Sequence, residues 1–204
     1  MCKDANVDVY IAIIPENGCM EAVYPPERDQ EINLTSNEKI KKEKHYVWRL
    51  LEYAVLNSFG FCMEDMAFQK TKRGKWITPN CEFSLSHSNG VVAVAVSRFR
   101  VGIDIEIAHG ACSPRIAPRV LTEMELLEYN SLADIEREEY LIKKWTVKEA
   151  IFKSEECEVF EPSKIDVSCY KTATYFLKLG DLDYVCSLAT EMPANIRIFS
   201  DIKF

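Results

Sequence analysis

Residues 101–106, Val-Gly-Ile-Asp-Ile-Glu, alternate between apolar and acidic side chains. A period of two is that of a β-strand, whose successive side chains point to opposite faces. Val101, Ile103 and Ile105 then share one face, which needs a core to pack against. Asp104 and Glu106 share the other. Two carboxylates held side by side repel unless a cation or a proton lies between them. A hard divalent ion, Mg²⁺ above all, suits the pair. It prefers oxygen ligands and often uses only one or two carboxylates plus phosphates. The segment therefore demands a sheet with a core on one side and a charged site on the other.

The 204 residues allow one large domain or two small ones, and 48% apolar residues are enough for a sizeable core. A net charge of −7 argues against a general affinity for nucleic acid, although local basic clusters can still bind phosphates. None of the eight cysteines (Cys2, Cys19, Cys62, Cys81, Cys112, Cys157, Cys169, Cys186) forms a C-x-x-C pair, so zinc is not expected. With such a core disulfides are not needed, and free thiols in a reducing cytoplasm are the expectation. Lys3, Asp4, Asn6 and Asp8 interrupt the N-terminus, so no signal peptide is read there. The longest apolar run, Val91–Val96, is too short to span a bilayer, and no membrane partner is expected.

Strands are expected at Val7–Ile14, Cys81–Leu85, Val91–Ser97, Val101–Ile107, Tyr175–Leu179 and Tyr184–Ala189. Residues 15–36 are polar, carry Pro25-Pro26, and read as mostly loop. Asn37–Phe59 reads as a helix, with Val47, Leu50, Leu51, Ala54 and Val55 at helical spacing and Gly60 as its stop. Pro114–Val120 and Glu123–Asn130 read as short helices, and Asp134–Glu156 as a long one with Asp134 as its cap. Each half thus offers strands around one main helix. The expected fold is α+β: two similar lobes, 1–100 and 101–204, forming an intramolecular pseudo-dimer in a monomeric chain.

Four constellations bear on function. Asp104 and Glu106 are the first. The second is Trp145–Lys153, in which Trp145, Glu149 and Lys153 lie along one helical stripe. Glu149 and Lys153 could be a plain surface ion pair, worth about 0.3–0.5 kcal/mol. Together with the strand acids, Glu149 would complete a three-carboxylate magnesium site, with Lys153 one turn away facing a phosphate. The third is Phe83–Gly90, where Ser86-His87-Ser88-Asn89-Gly90 reads as a tight turn. It either supplies donors for a phosphate or satisfies its own backbone. The fourth is a pair of basic clusters. Lys39, Lys41, Lys42 and Lys44 are either a solvated helix face or an anion site. Lys70, Lys72, Arg73 and Lys75, beside Gly74, favour anion binding. His45 and His109 read as surface or loop residues.

Taken in order, Gly74-Lys75, Ser86-His87-Ser88, Gly102–Glu106 and Trp145–Lys153 resemble a 4′-phosphopantetheinyl transferase of the two-lobed, surfactin-synthetase-activating type. Its pattern is a Gly-Lys loop, a Ser-His-Ser turn, G-[IV]-D-[IV]-E and W-[ST]-x-K-E-A-x-x-K. The last two match at every specified position, and the resemblance spans about residues 37–157.

The resemblance implies transfer of the 4′-phosphopantetheine arm of coenzyme A (CoA) to a serine of an apo carrier protein, with release of adenosine 3′,5′-bisphosphate. Asp104, Glu106 and Glu149 would hold Mg²⁺, or Mn²⁺ in its place. Glu149 would accept the serine proton, directly or through a water, and Lys153 would neutralise the pyrophosphate. Ser86 and His87 would bind the 3′-phosphate, while Lys75, Lys70 and Lys42 complete the CoA cradle on the N-terminal lobe. Glu123 matches a glutamate common between the two acidic motifs. The glycine-rich step usual after the last lysine is missing in Ser154–Val159, which bears on carrier preference. Arg115 and Arg119, among the apolar residues up to Leu127, would offer an acidic carrier a docking patch. The competing readings are a non-catalytic CoA- or nucleotide-binding regulatory homologue and another magnesium-dependent phosphotransferase or hydrolase. The latter lacks a Walker-type loop.

Overall fold

A computed structural model describes residues 5–17, 22–72, 74–110, 112–155, 159–200 and 202–203. Of the residues named above, Cys2, Lys3, Asp4, Cys19, Arg73, Glu156, Cys157 and Glu158 lie outside that set. In chain order the elements are β1 (Asn6–Ile13), α1 (Pro26–Asn33), α2 (Glu38–Phe59), β2 (Gln69–Lys70), β3 (Trp76–Ile77), β4 (Glu82–Ser88), β5 (Val91–Ser97), β6 (Val101–Ile107), α3 (Ala117–Val120), α4 (Glu123–Ser131), α5 (Asp134–Glu155), β7 (Lys171–Leu179), β8 (Leu182–Thr190) and β9 (Asn195–Phe199). The fold is α+β, and no described helix is long and apolar enough to cross a membrane.

The larger sheet has the order β4-β5-β1-β9, and a second has the order β6-β8-β7. β4 and β5 form a hairpin whose turn is Asn89-Gly90, at φ 46° and 83°. Two successive positive φ values are what a two-residue hairpin loop needs, and Asn-Gly supplies them at low strain. β9 runs parallel to β1, so the last strand of the chain lies in the first sheet. Arg197 on β9 grips the buried Asp8 of β1 with two bonds, at 2.6 and 2.7 Å.

α2 starts where Asn37 accepts the amides of Lys39 and Ile40, and ends at Gly60 in the left-handed region, φ 73°. Its apolar stripe, Val47, Leu51, Ala54 and Val55 among others, packs against Tyr10, Val92, Val94 and Val96. The other face of that sheet, Val7, Val9, Ile11, Ala93 and Ala95, meets Val101, Ile103, Ile105 and Leu188. The apolar face of β6 is thus sealed between two sheets. α5 covers the opposite face of the second sheet, where Ala150 and Ile151 meet Ala189.

Four expectations are corrected. Residues 15–36 contain α1, because Pro26 sits at the first helical turn, where a missing N–H and a fixed φ favour a helix. Asp134 is already inside α5. The residue ahead of it is Ala133, whose N–H is satisfied by the Glu136 carboxylate at 3.0 Å. Ser86, His87 and Ser88 lie on β4 and not in the turn. His45 is buried on α2, edge-on to the rings of Tyr24 and Tyr46. Among the described residues, Cys62, Cys81, Cys112, Cys169 and Cys186 are free thiols.

Candidate active site

β6 bonds to β8 along one edge, and its other edge faces β4. The gap between them is bridged by serine hydroxyls. The amide of Ile103 donates to Ser84 Oγ at 3.0 Å, and that of Ile105 to Ser86 Oγ at 3.2 Å. Edge amides buried in this seam need such acceptors. The same row orients the acids: Ser86 Oγ donates to Asp104 Oδ1 at 2.9 Å, and Ser88 Oγ to Glu106 Oε2 at 2.5 Å. Serines at every second position of β4 therefore match the acids at every second position of β6.

Gly102 sets the distance to the helix above. A Cβ there would lie 1.9 Å from the carbonyl oxygen of Ala150 and 2.8 Å from the amide nitrogen of Ser154. Only a bare backbone lets α5 come this close. The contact delivers Lys153, whose Nζ bonds Asp104 Oδ1 at 2.7 Å and Ser86 Oγ at 3.3 Å. Glu149 enters the same field. Burial pushes its carboxyl up to about 7, the charges of Asp104 and Glu106 adding to the effect and Lys153 opposing it. Burial likewise raises Glu106, with Ser88 opposing and Asp104 adding.

Among the described residues, no three His, Cys, Asp or Glu side chains stand together as a ready ligand set. The ammonium of Lys153 lies against Asp104, 2.7 Å from its Oδ1. Even so, Asp104 Oδ2 is buried without a hydrogen-bond partner. An orphaned carboxylate oxygen, beside two acids resisted by burial and by their neighbours' charge, fits a hard cation by its donor chemistry.

His87 lies on the α2 side of the seam. Its Nδ1 is 3.1 Å from Glu43 Oε2, and Glu43 Oε1 accepts the amide of Gly90 at 3.0 Å. Burial lowers the imidazole's pKa, Glu43 raises it and Lys153 lowers it again. Glu43, only 5% exposed, escaped the sequence reading. Its signal was there: it precedes Val47 by one turn on the apolar stripe of α2, and a charge on a buried stripe needs a partner.

The basic residues divide. Lys42 Nζ donates to the carbonyls of Pro15 and Glu16, at 2.7 and 2.9 Å. Lys70 pairs with Glu31 and faces the Trp76 ring at 5.9 Å. The backbone of Lys75 closes the β2–β3 turn onto Thr71. Lys148, from the same motif as Glu149, is fully buried, bonded to the Val120 carbonyl at 2.8 Å and to Glu125 at 2.5 Å. It ties α5 to α3 and α4 and does not face the acids. Glu123 is exposed on the first turn of α4, whereas Glu125, two residues on, caps that helix and holds Lys144 and Lys148.

The structure thus brings Asp104, Lys153 and Ser86 into contact at the β4–β6 seam, with Glu106 held by Ser88 and Glu149 within electrostatic reach, while His87 is bonded to Glu43 on the α2 side. No curated protein matches the chain. Residues 100–192, which carry Asp104, Glu106, Glu149 and Lys153 on β6 and α5, match the family model of the 4′-phosphopantetheinyl transferase superfamily.

Proposed function

We propose that the protein transfers the 4′-phosphopantetheine arm of CoA to a serine of an apo carrier protein and releases adenosine 3′,5′-bisphosphate. The observation that carries the reading is the Asp104–Lys153 pair, with Glu106 and Glu149 beside it, inside the segment that matches a family of such transferases. In the reaction the serine oxygen bonds to the β-phosphorus of the CoA pyrophosphate. The bond from that phosphorus to the bridging oxygen breaks, and the bridging oxygen leaves on the bisphosphate.

Such chemistry rests on positioning and on charge neutralisation. Glu149 accepts the serine proton, directly or through a water. Lys153 neutralises the pyrophosphate as charge moves to the leaving oxygen. Asp104, Glu106 and Glu149 would hold Mg²⁺, or Mn²⁺ in its place. When bound, the ion supplies Lewis-acid stabilisation of phosphate charge. His87 and Ser86 meet phosphate oxygens, Ser86 by turning its one hydroxyl proton from Asp104 to the phosphate, and Lys75, Lys70 and Lys42 complete the CoA cradle. We read residues 1–100 as the cradle side and 101–204 as the catalytic side of a cytoplasmic monomer, with β9 crossing back.

The test is mass spectrometry of an apo acyl carrier protein incubated with this protein, CoA and Mg²⁺. A gain of one phosphopantetheine arm, lost on chelating the metal, is the expected result. No gain on fatty-acid, polyketide or peptidyl carriers, with CoA still bound, would turn the reading into that of a non-catalytic CoA binder.

For the carrier we propose the face bearing Arg115, Arg119, Met124 and Leu127. Met124 and Leu127 are 76% and 67% exposed, and the exposed Arg115 and Arg119 that precede them in the chain suit an acidic partner. Arg119→Glu should raise the KM for the carrier roughly three- to tenfold and leave that for CoA unchanged. An unchanged carrier KM removes this face from the proposal.

A further inference from the structure

The turn Asn89-Gly90, at the end of β4, is tied from several directions. The carbonyl of Asn89 accepts the phenol of Tyr184 on β8 at 3.1 Å, and its side-chain oxygen accepts Lys39 Nζ from α2 at 2.8 Å. The amide of Gly90 donates to Glu43 Oε1, also from α2, at 3.0 Å, and its carbonyl accepts the amide of Ile14 at 2.8 Å. Hairpin loops ordinarily leave such groups to water, and strand ends fray. Asn89 is an exposed residue that water could serve. Tyr184 is only 2% exposed, and its hydroxyl reaches out of the core between the two sheets to make this bond. A buried tyrosine hydroxyl needs a partner, whereas phenylalanine would fill the same core without that need.

What the turn carries explains the ties. Ser88 is the last residue of β4, joined to Asn89, and its Oγ holds Glu106 Oε2 at 2.5 Å. Serine hydroxyls link β4 to β6 at Ile103 and Ile105. One step further along β6, Ile107 stands opposite Tyr184 in the β6–β8 register, and there the link is the tyrosine hydroxyl. The bonds from Lys39, Glu43 and Ile14 fix the turn to α2 and to the end of β1. The bond from Tyr184 comes from the sheet that bears Glu106. A closed ring results, running from Glu106 to Ser88, along the chain to Asn89, across to Tyr184, and through the strand register to Ile107 beside Glu106. Without the tyrosine hydroxyl the ring opens, and Ser88 can move with the end of the hairpin. We propose that Tyr184 is a positioning residue: its hydroxyl holds Ser88, and through it the Glu106 carboxylate, in place before the metal ion arrives. This rests on the transferase reading above, in which Glu106 is a metal ligand.

The experiment is a double-variant cycle on the full chain, with wild type, Tyr184→Phe, Ser88→Ala and the two combined. Phenylalanine keeps the ring in the core and leaves the turn carbonyl to water, so Tyr184→Phe is expected to fold, and melting temperatures check all four proteins. Two quantities are read. One is kcat and KM for transfer to an apo carrier. The other is Mn²⁺ affinity with CoA present and carrier absent, from the electron paramagnetic resonance of the free ion. Tyr184→Phe should lower kcat and weaken Mn²⁺ binding roughly three- to tenfold each, the range of one lost hydrogen bond, with the KM for CoA unchanged. In the Ser88→Ala background the same change should alter either quantity less than about twofold, because the link is already cut. Equal losses in both backgrounds would overturn the proposal, since the hydroxyl would then serve the core alone. A Tyr184→Phe protein with wild-type kcat and Mn²⁺ affinity would overturn it too. Wild-type protein that binds Mn²⁺ but transfers nothing would sink the transferase reading, and the Mn²⁺ half of the cycle would still decide the link. Wild-type protein that binds no Mn²⁺ would overturn the link itself.

Discussion

Asp104→Asn should lower turnover roughly 10³-fold while the protein stays folded and still binds CoA. The substitution keeps the shape of the side chain and an acceptor for Ser86, so the β4–β6 seam can persist. It removes the charge that meets Lys153 at 2.7 Å, and it takes away the orphaned Oδ2 anion. Turnover is read as transfer to a carrier at saturating CoA and Mg²⁺. Near-normal transfer would mean that the strand pair is not the reacting site.

Stability offers an independent readout in protein kept free of divalent metal. Glu149 is pushed up to about 7 from an ordinary 4.5, so the folded state holds its proton where the unfolded chain has lost it. A raised carboxyl contributes stability that is fully present below the unfolded value and is lost as pH rises through about 7. The Glu149 contribution to the melting temperature should therefore fall between pH 5 and pH 8, against a rise from His45 and His87, whose lowered pKa values act in the opposite sense. Burial is the larger cause and survives in the variant, but one opposing charge is gone, so Asp104→Asn should show a shallower fall. Identical slopes would mean that Asp104 does not reach Glu149.

What could be read from the sequence was what neighbours in the chain decide. The period of two at 101–107 placed β6, and both faces went where alternation put them. Asn37 and Gly60 bracketed α2 because caps act within one turn. The stripe of Glu149 and Lys153 on α5 needed only helical spacing. Composition misled where burial differs from habit. Ser86-His87-Ser88 has the content of a turn, yet Phe83 and Leu85 alternate with serines in the period of a strand, and only Asn89-Gly90 turns. Pairings set by tertiary contact left no local mark. β9 finds β1 across nearly the whole chain, Glu43 finds His87 from another element, and Glu31 takes a lysine that sequence order assigns to the cradle. The metal question is of the same kind: spacing placed three acids near one another, but it could not show that Lys153 would lie against the first of them.

Gly102→Ala should destabilise the protein by about 3 kcal/mol and depress transfer further than the loss of folded protein explains. The added methyl would stand 1.9 Å from the carbonyl oxygen of Ala150 and 2.9 Å from its carbon, and 2.8 Å from the amide nitrogen of Ser154. These are backbone atoms of a helix, which no rotamer change can move aside, so α5 has to lift or tilt away from β6. Lifting it opens the packing of Ala150 and Ile151 against Ala189 and strains the neighbouring bond from Thr146 to Ser187, 2.8 Å across the same interface. It also carries Glu149 and Lys153 away from Asp104, so stability and chemistry fall together. Urea unfolding gives the first quantity. Transfer per folded molecule, measured well below the transition, gives the second. A variant within about 0.5 kcal/mol of wild type, the range of an ordinary surface change, would show that the helix does not rest on this glycine. A destabilised variant with full activity per folded molecule would show that the helix can shift without moving the site. The first result would remove the close approach from the account of the fold, and the second would remove α5 from the account of catalysis.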